Sequence, residues 1–407
     1  HLTLLNKLKN NSWSGEENMK KPHVIVIGAG FTGLATAHDL ALRGVDVTVV
    51  EQGSVANGCS GRAHGVLHSG GRYAVKDHEA AIEMVKENAI LRKIAPQAIE
   101  SNEGLFIALN DKDMDFRRTF LENCAECGIP TQEISAQRAL QLEPHLNPKI
   151  KGAIIVPDGT FESLRLALAF GATAKSNGAK IKLYTKVTEL ILDGKNTVCG
   201  VKLLDRKNGK RYELRADVIV NATGAWTGEI AAMAGIDVPI KPTPGVMVGY
   251  EQRLVQRTIN HLNLPSDGDI IQPQRQMMVV GTTSYEVTEL DYVPINPDHV
   301  RLMLERGAEL VPLIRNLKER GVYASTRPLI GKGRGRGASR TFKCFEHKSE
   351  DNVEGFITVT GGNATITRAI AEKTTDIVCE KLGISAPCRT KEVQLLPYRQ
   401  FYLIKEA

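Results

Sequence analysis

The sequence predicts an α/β protein of two domains: a parallel-sheet domain of Rossmann type, and an α+β cap built on an antiparallel sheet. Three observations carry this. A glycine turn stands between a strand and a helix near the start of the chain. Strand-and-glycine patterns return twice more, around residues 222 and 361. Between these returns lie strand-like runs, EGLFIALN, TPGVMVGYE and QMMVVGTTS, which suit an antiparallel sheet laid over the first domain.

The first of these patterns runs from Pro22 through VIVIG into Gly28-Ala29-Gly30-Phe31-Thr32-Gly33, then a helical LATAHDLALRG and a strand VDVTVVE that ends at Glu51. Strand, glycine turn, helix and strand stand in the order a Rossmann-type βαβ site requires. Gly28 permits the tight turn, Gly30 lets backbone approach a pyrophosphate, and Gly33 lets helix and strand pack closely, while the helix N-terminus attracts phosphate. Glu51 stands near the spacing at which an acid holds ribose hydroxyls. Phe31, Thr32 and Gln52 join the same expected cofactor-binding set.

The later returns decide which dinucleotide. LYTKVTELIL and TVCGVKLLD read as a meander, followed by ADVIVN, which breaks into Ala222-Thr223-Gly224-Ala225-Trp226, where Trp226 is expected to pack at the turn as one of the cofactor-binding residues. Near the end, GFITVTGGNATITRAIAEKTTDIVCEKLG is again strand, glycine turn and long helix. On its own this is one more αβ unit. A nicotinamide domain has no need of it, whereas a flavin ring needs its pyrimidine end held at a helix N-terminus. The expected cofactor is FAD.

Length and composition bound the rest. A chain of 407 residues, 42% hydrophobic and 24% charged, can bury sizeable cores. A net charge of +6 favours anionic substrates or a membrane surface weakly, and makes no case for nucleic acid. No run approaches the roughly 20 apolar residues that span a bilayer, so membrane contact is at most peripheral, at the inner face. Seven scattered cysteines do not form a secreted disulfide framework, and a cytoplasmic protein is expected. Cys124 and Cys127 make a lone C-x-x-C pair in a helical run without a second pair at zinc or iron–sulfur spacing, so structural thiols and no metal are expected. Residues 1–18 read as a leader or appended segment with Met19 as the natural start; a short amphipathic helix through Leu2, Leu4, Leu5 and Leu8 is the alternative, and there is no secretory signal pattern. The expected flavin domain comprises 19–96, 152–240 and 325–390, the cap 97–151 and 241–324, and the C-terminal tail 391–407.

In this order the motifs resemble FAD enzymes of the glycine/D-amino-acid oxidase type, which implies a D-amino-acid-oxidase-like fold. CSGRAHGVLHSGGRYAV (59–75), VPDGTFESLRL (156–166), STRPL (325–329) and GFITVTGG (355–362) narrow the likeness to the FAD-dependent glycerol-3-phosphate dehydrogenases, nearest to the anaerobic A subunits, over residues 21–388. The resemblance implies that Gly28, Gly30, Gly33 and Glu51 hold the adenosine and pyrophosphate. Ser60, Gly61, Arg62, His64 and Gly65 would form a second flavin-contacting loop. Val187 would approach the adenine, Ala222 and Gly224 the ribityl side, and Gly361, Gly362, Asn363 and Ala364 the pyrimidine. Arg72, Tyr73 and Arg327 would line the substrate pocket. Two departures stand out. The family's late motif has lysine and tyrosine where this chain has Asn363 and Thr367, so one cation and one aromatic are missing. The A subunits also continue into a cysteine-rich region thought to hold an iron–sulfur cluster, and no cluster is expected here.

Flavin oxidation of an alcohol moves a hydride from carbon to N5 while a base takes the hydroxyl proton. His68 is the candidate base; packing beside the flavin, or anchoring it covalently, are its alternatives. Arg72 and Arg327 suit a clamp on a small anionic substrate, with a domain-stabilising ion pair as the alternative for Arg327. The run GKGRGRGASR (331–340) reads as a solvated surface loop, or as a dock for an electron-acceptor subunit or anionic membrane. The expected activity is a dehydrogenase of glycerol-3-phosphate or a related polyol phosphate or hydroxy acid, passing electrons to a partner subunit, quinone or oxygen. An amino acid or secondary amine oxidoreductase, or a flavin-binding relay subunit, are the competing readings.

Overall fold

A computed structural model describes residues 21–330 and 340–405. The expectations for residues 1–18, Met19 and most of the 331–340 run lie outside the described residues.

Six strands form the first sheet, in the order Phe342–Glu346, Phe356–Gly361, Val218–Asn221, His23–Ile27, Asp46–Val50 and Lys180–Lys182. All neighbours are parallel except the outermost Phe342–Glu346. The central strand reads HVIVI with no alternation because both of its faces are covered. On one face the helix Phe31–Leu42 packs against the helices Ser163–Ser176 and Thr367–Leu382, closing a core through Val24, Val26, Leu34 and Phe170. On the other lies the expected meander, Thr185–Leu192, Val198–Asp205 and Arg211–Arg215, whose Val187, Val201 and Leu203 pack with Ile25 and Ile219.

The cap is an eight-stranded sheet ordered Glu319–Ile330, Ile240–Tyr250, Met277–Gly281, Ile270–Gln274, Thr258–His261, Gly104–Ala108, Gly152–Val156 and Gln132–Ser135. Its neighbours are antiparallel, with one exception: Thr258–His261 runs parallel to Gly104–Ala108. These two strands come from separate cap segments, and a parallel pair requires a long crossover, which here passes through the nucleotide-binding half. Side chains alternate across the strand as pleating dictates, Leu105 and Ile107 entering one core and Phe106 the other.

Three placements differ from the expected boundaries. Gly152–Val156 pairs inside the cap sheet rather than opening a flavin-domain segment. Glu319–Ile330 pairs along its length with Ile240–Tyr250, so a cap strand presents Arg327. Residues after 391 are no free tail: Leu395 and Phe401 are buried in the nucleotide-half core, and Lys175 Nζ donates to the Phe401 carbonyl at 3.0 Å.

Cys124 and Cys127 are free thiols at the end of the helix Asp111–Glu126. Burial pushes both thiols up, Cys124 to about 12, which suits a packing role. Among the described residues no helix is long and apolar enough to cross a membrane, and no three His, Cys, Asp or Glu side chains are placed to share a metal ion.

Candidate active site

The glycine turn is the starting point. Gly28 has φ +108°, and a Cβ there would stand 2.6 Å from the Ala222 carbonyl oxygen. A Cβ on Gly33 would collide with the Gly28 carbonyl oxygen, so the helix approaches the turn as closely as backbone allows. Glu51 braces the turn: its Oε2 accepts from Ala29 N at 3.0 Å and its Oε1 from Gly53 N at 2.8 Å. Burial pushes this carboxyl up, and those two amides pull against it. Ser60 Oγ accepts from Phe31 N at 2.9 Å and so ties the second loop to the first.

These loops open into one cavity of about 370 Å³, within the range of ligand pockets. Gly28, Gly30, Phe31, Thr32, Glu51 and Gln52 line it from the first βαβ unit, with Val187 from the meander. Ser60 and His64 line it from the second loop, Ala222, Gly224 and Trp226 from the middle return, and Gly361, Gly362, Asn363 and Ala364 from the last. His68, Arg72, Tyr73 and Arg327 line it too. Four expected contacts do not. Gly33 and Gly65 pack against Gly28 and Gln274 behind the cavity wall, while Gly61, against Ala56, and Arg62 are exposed in the short helix Cys59–Arg62. Trp226 is fixed by its indole Nε1, which donates to Asp291 Oδ1 of the cap at 3.1 Å.

Three arginines face the cavity. Arg327 is held by the backbone of its own sheet: Nε donates to the Thr243 carbonyl at 3.1 Å, and Nη2 to those of Pro244 (3.1 Å) and Thr283 (2.9 Å). Its Nη1 donates to Thr282 Oγ1 at 3.1 Å. Arg72 Nη2 is paired with Asp269. Arg340 is 8% exposed and lines the cavity, although composition placed it in a solvated loop. Its backbone N donates to Asp77 Oδ2 at 2.9 Å and fixes the backbone at Arg340. One cation beside a glycine-rich basic run carries no signal of burial, and neither Arg340 nor Asp269 was among the expected site residues.

His68 is 5% exposed. Burial first, then the charges of His64, Arg72 and Arg340, push its imidazole well below the ordinary histidine value, so it is neutral. Its ring meets Tyr73 edge-to-face at 5.4 Å and 73°, and its backbone N donates to Thr365 Oγ1 at 3.0 Å.

A glycine-turn dinucleotide site joined to an arginine-lined chamber between sheet and cap defines a flavin-dependent oxidoreductase. The chain belongs to the FAD dependent oxidoreductase (DAO) family, whose pattern matches residues 23–377. It is 39% identical over 401 residues to the A1 subunit of the anaerobic glycerol-3-phosphate dehydrogenase of Haloferax volcanii, covering 95% of this chain and 68% of that one. It is 40% identical over 377 residues to the A subunit of the corresponding enzyme of Escherichia coli K12, covering 91% and 69%. The fold is similar to that of the Bacillus halodurans glycerol-3-phosphate dehydrogenase complexed with FAD, with a TM-score of 0.73 at 24% identity over 94% of this chain and 69% of that one.

The residues present fit the family's cofactor. The Gly28 cradle excludes any side chain. Asn363 Nδ2, Thr360 Oγ1 and Thr367 Oγ1, all on residues lining the cavity, are buried with no partner among the described residues, as expected of groups that serve a polar ligand. Asn363 Oδ1 meanwhile accepts from Thr365 N at 2.9 Å and caps the turn that opens the helix Thr367–Leu382.

Proposed function

We propose that this chain is the flavin-bearing subunit of a glycerol-3-phosphate dehydrogenase, oxidising the secondary alcohol of a small phosphorylated polyol. The observation that carries the proposal is the gathering of Arg72, Arg327 and Arg340 around one cavity beside the Gly361–Gly362 turn. Planar guanidinium forks suit a phosphate dianion, and their pull on it is strong where water is excluded. Arg340 supplies the cation that Asn363 does not. The names of the relatives, at about two-fifths identity across more than nine-tenths of the chain, support the same substrate.

Bound FAD supplies a two-electron acceptor for the substrate's C–H bond. His68 takes the hydroxyl proton at a ring nitrogen. It is neutral before substrate arrives, because burial first, and then the charges of His64, Arg72 and Arg340, make an imidazolium costly there. A bound anion offsets their field, so the imidazole becomes a better base once a phosphorylated substrate is in place. Tyr73 fixes the ring, and Thr365 ties this residue to the glycine-pair turn. The electrons then pass to a partner subunit, which the relatives' designation as A and A1 subunits supports; quinone and oxygen are the competing acceptors.

Dye-coupled turnover across a charge series tests the reading. Glycerol-3-phosphate is expected to turn over, glycerol far more slowly, and glycine not at all. Turnover of an amine with none of glycerol-3-phosphate would overturn it.

A further inference from the structure

We infer that Asp269 is a positioning residue for the anion site: it grips Arg72 by Nη2 alone and so leaves Nη1 of this cavity-lining side chain for an anion. The identity of the anion as a substrate phosphate rests on the proposed function; the grip itself does not.

Arg72 follows the strand Val66–Leu67, and Asp269 immediately precedes the cap strand Ile270–Gln274, whose Ile270 also lines the cavity. The pair therefore spans the two halves of the molecule. Arg72 Nη2 donates to Asp269 Oδ2 at 3.1 Å and to the Ser266 carbonyl at 3.3 Å, with the two side chains 5% and 1% exposed. Arg72 Nη1 is buried with no partner among the described residues. A clasp that served only to join domains would be expected to use both edges of the fork, the geometry arginine favours with carboxylates. Here Nη2 is spent twice and Nη1 is kept in reserve, which is costly unless a ligand meets it.

Asp269 is itself pinned. It accepts from Ser266 N at 2.5 Å and from Ser266 Oγ at 2.8 Å. The Asn263 amide, turned as its neighbours require, donates to Oδ2 at 3.1 Å. Burial pushes the Asp269 carboxyl up, but Arg72 and the Ser266 donors outweigh it and hold it below the ordinary value, so it is ionised. Among the described residues each group bonded to the carboxylate is a donor, and an asparagine there would turn its NH2 onto one of them.

Charge and position pull in opposite directions, which makes the sign of the test decisive. Removing a negative charge beside an anion site tightens anion binding by Coulomb's law. Releasing Arg72 from its fixed orientation weakens it. Inorganic phosphate is titrated calorimetrically into the holoprotein, into Asp269→Asn, into Arg72→Ala and into the double variant. The expected result is about tenfold weaker phosphate binding in Asp269→Asn, and less than about twofold further loss when Arg72 is already gone. Ser266→Ala, which removes one donor that pins the carboxylate, is expected to weaken binding about threefold through the same dependence on Arg72, and decides the matter if Asp269→Asn does not fold. Unchanged or tighter binding, an equal loss with and without Arg72, or no phosphate binding by the wild type would each overturn the inference. A protein that shows this coupling yet does not oxidise glycerol-3-phosphate would sink the proposed function alone.

Discussion

In the nucleotide-binding half, the residues facing the cavity come from short contiguous stretches: Gly28 to Thr32, Glu51 and Gln52, Ala222 to Trp226, and Gly361 to Ala364. In the cap, Gly245 and Met247, Ile270, Thr282 and Arg327 come from separate strands or their ends, brought together only by pairing across the eight-stranded sheet. The first half is suited to holding a ligand with backbone, and backbone geometry is set locally by glycines and turns. The second is suited to recognising substrate with side chains, whose convergence depends on register between distant segments. Charge separates them as well. The first carries a half-buried acid, Glu51, bound to amides, while the chamber between the halves collects three arginines.

The largest effect should come from breaking the backbone side of this contrast. Gly33→Val drives a branched side chain into the Gly28 carbonyl, and the purified protein is expected to lack flavin absorbance; normal flavin content would show that the turn tolerates what its geometry forbids. Next is the proposed proton acceptor between the halves. His68→Ala is expected to lower kcat by about 10²- to 10⁴-fold with flavin content intact.

The pH dependence of the wild type carries the same information. Because the folded pKa of His68 is lowered, its accepting form persists below 6.5, and the acid limb of kcat/KM should lie well under that value. The unfolded chain binds that proton near 6.5 while the folded chain does not, so His68 also costs stability as the pH falls below 6.5. An acid limb at or above 6.5 would remove His68 from the role.

Smaller again is the loss of one guanidinium. Arg340→Ala is expected to raise KM for glycerol-3-phosphate about 10- to 100-fold while glycerol turnover stays unchanged. An equal fall for both substrates would make Arg340 a structural residue. The smallest effect belongs to the bond joining the halves at the mouth. Trp226→Phe removes the hydrogen bond to Asp291, worth about 0.5–1.5 kcal/mol, and should speed flavin dissociation a few-fold in a dilution experiment.

The same contrast explains what could be read from the sequence. The βαβ unit, the meander, the long helix Thr367–Leu382 and the glycine turns were legible because each is encoded within a few residues by period, glycine and helix N-terminus. Arg72, Tyr73 and Arg327 reached the site reading only through resemblance to a family. Asp269 was not legible, since an aspartate before a strand has no local mark of an arginine placed 197 residues away. Arg340 was misread because it ends a run rich in glycine and basic residues, and composition carries no mark of the burial of one cation in such a run. The boundary at 152 failed for a related reason: GAIIV reads equally well as a strand of either sheet, and only pairing decides.

Anaerobic titration of the holoprotein with glycerol-3-phosphate, followed by flavin absorbance, tests the central claim most directly because it needs no acceptor. The expected result is bleaching of the flavin at stoichiometric or modest excess of glycerol-3-phosphate, with none from glycerol at the same concentration. A flavin that stays oxidised in glycerol-3-phosphate but bleaches with an amino acid or an uncharged alcohol would contradict it.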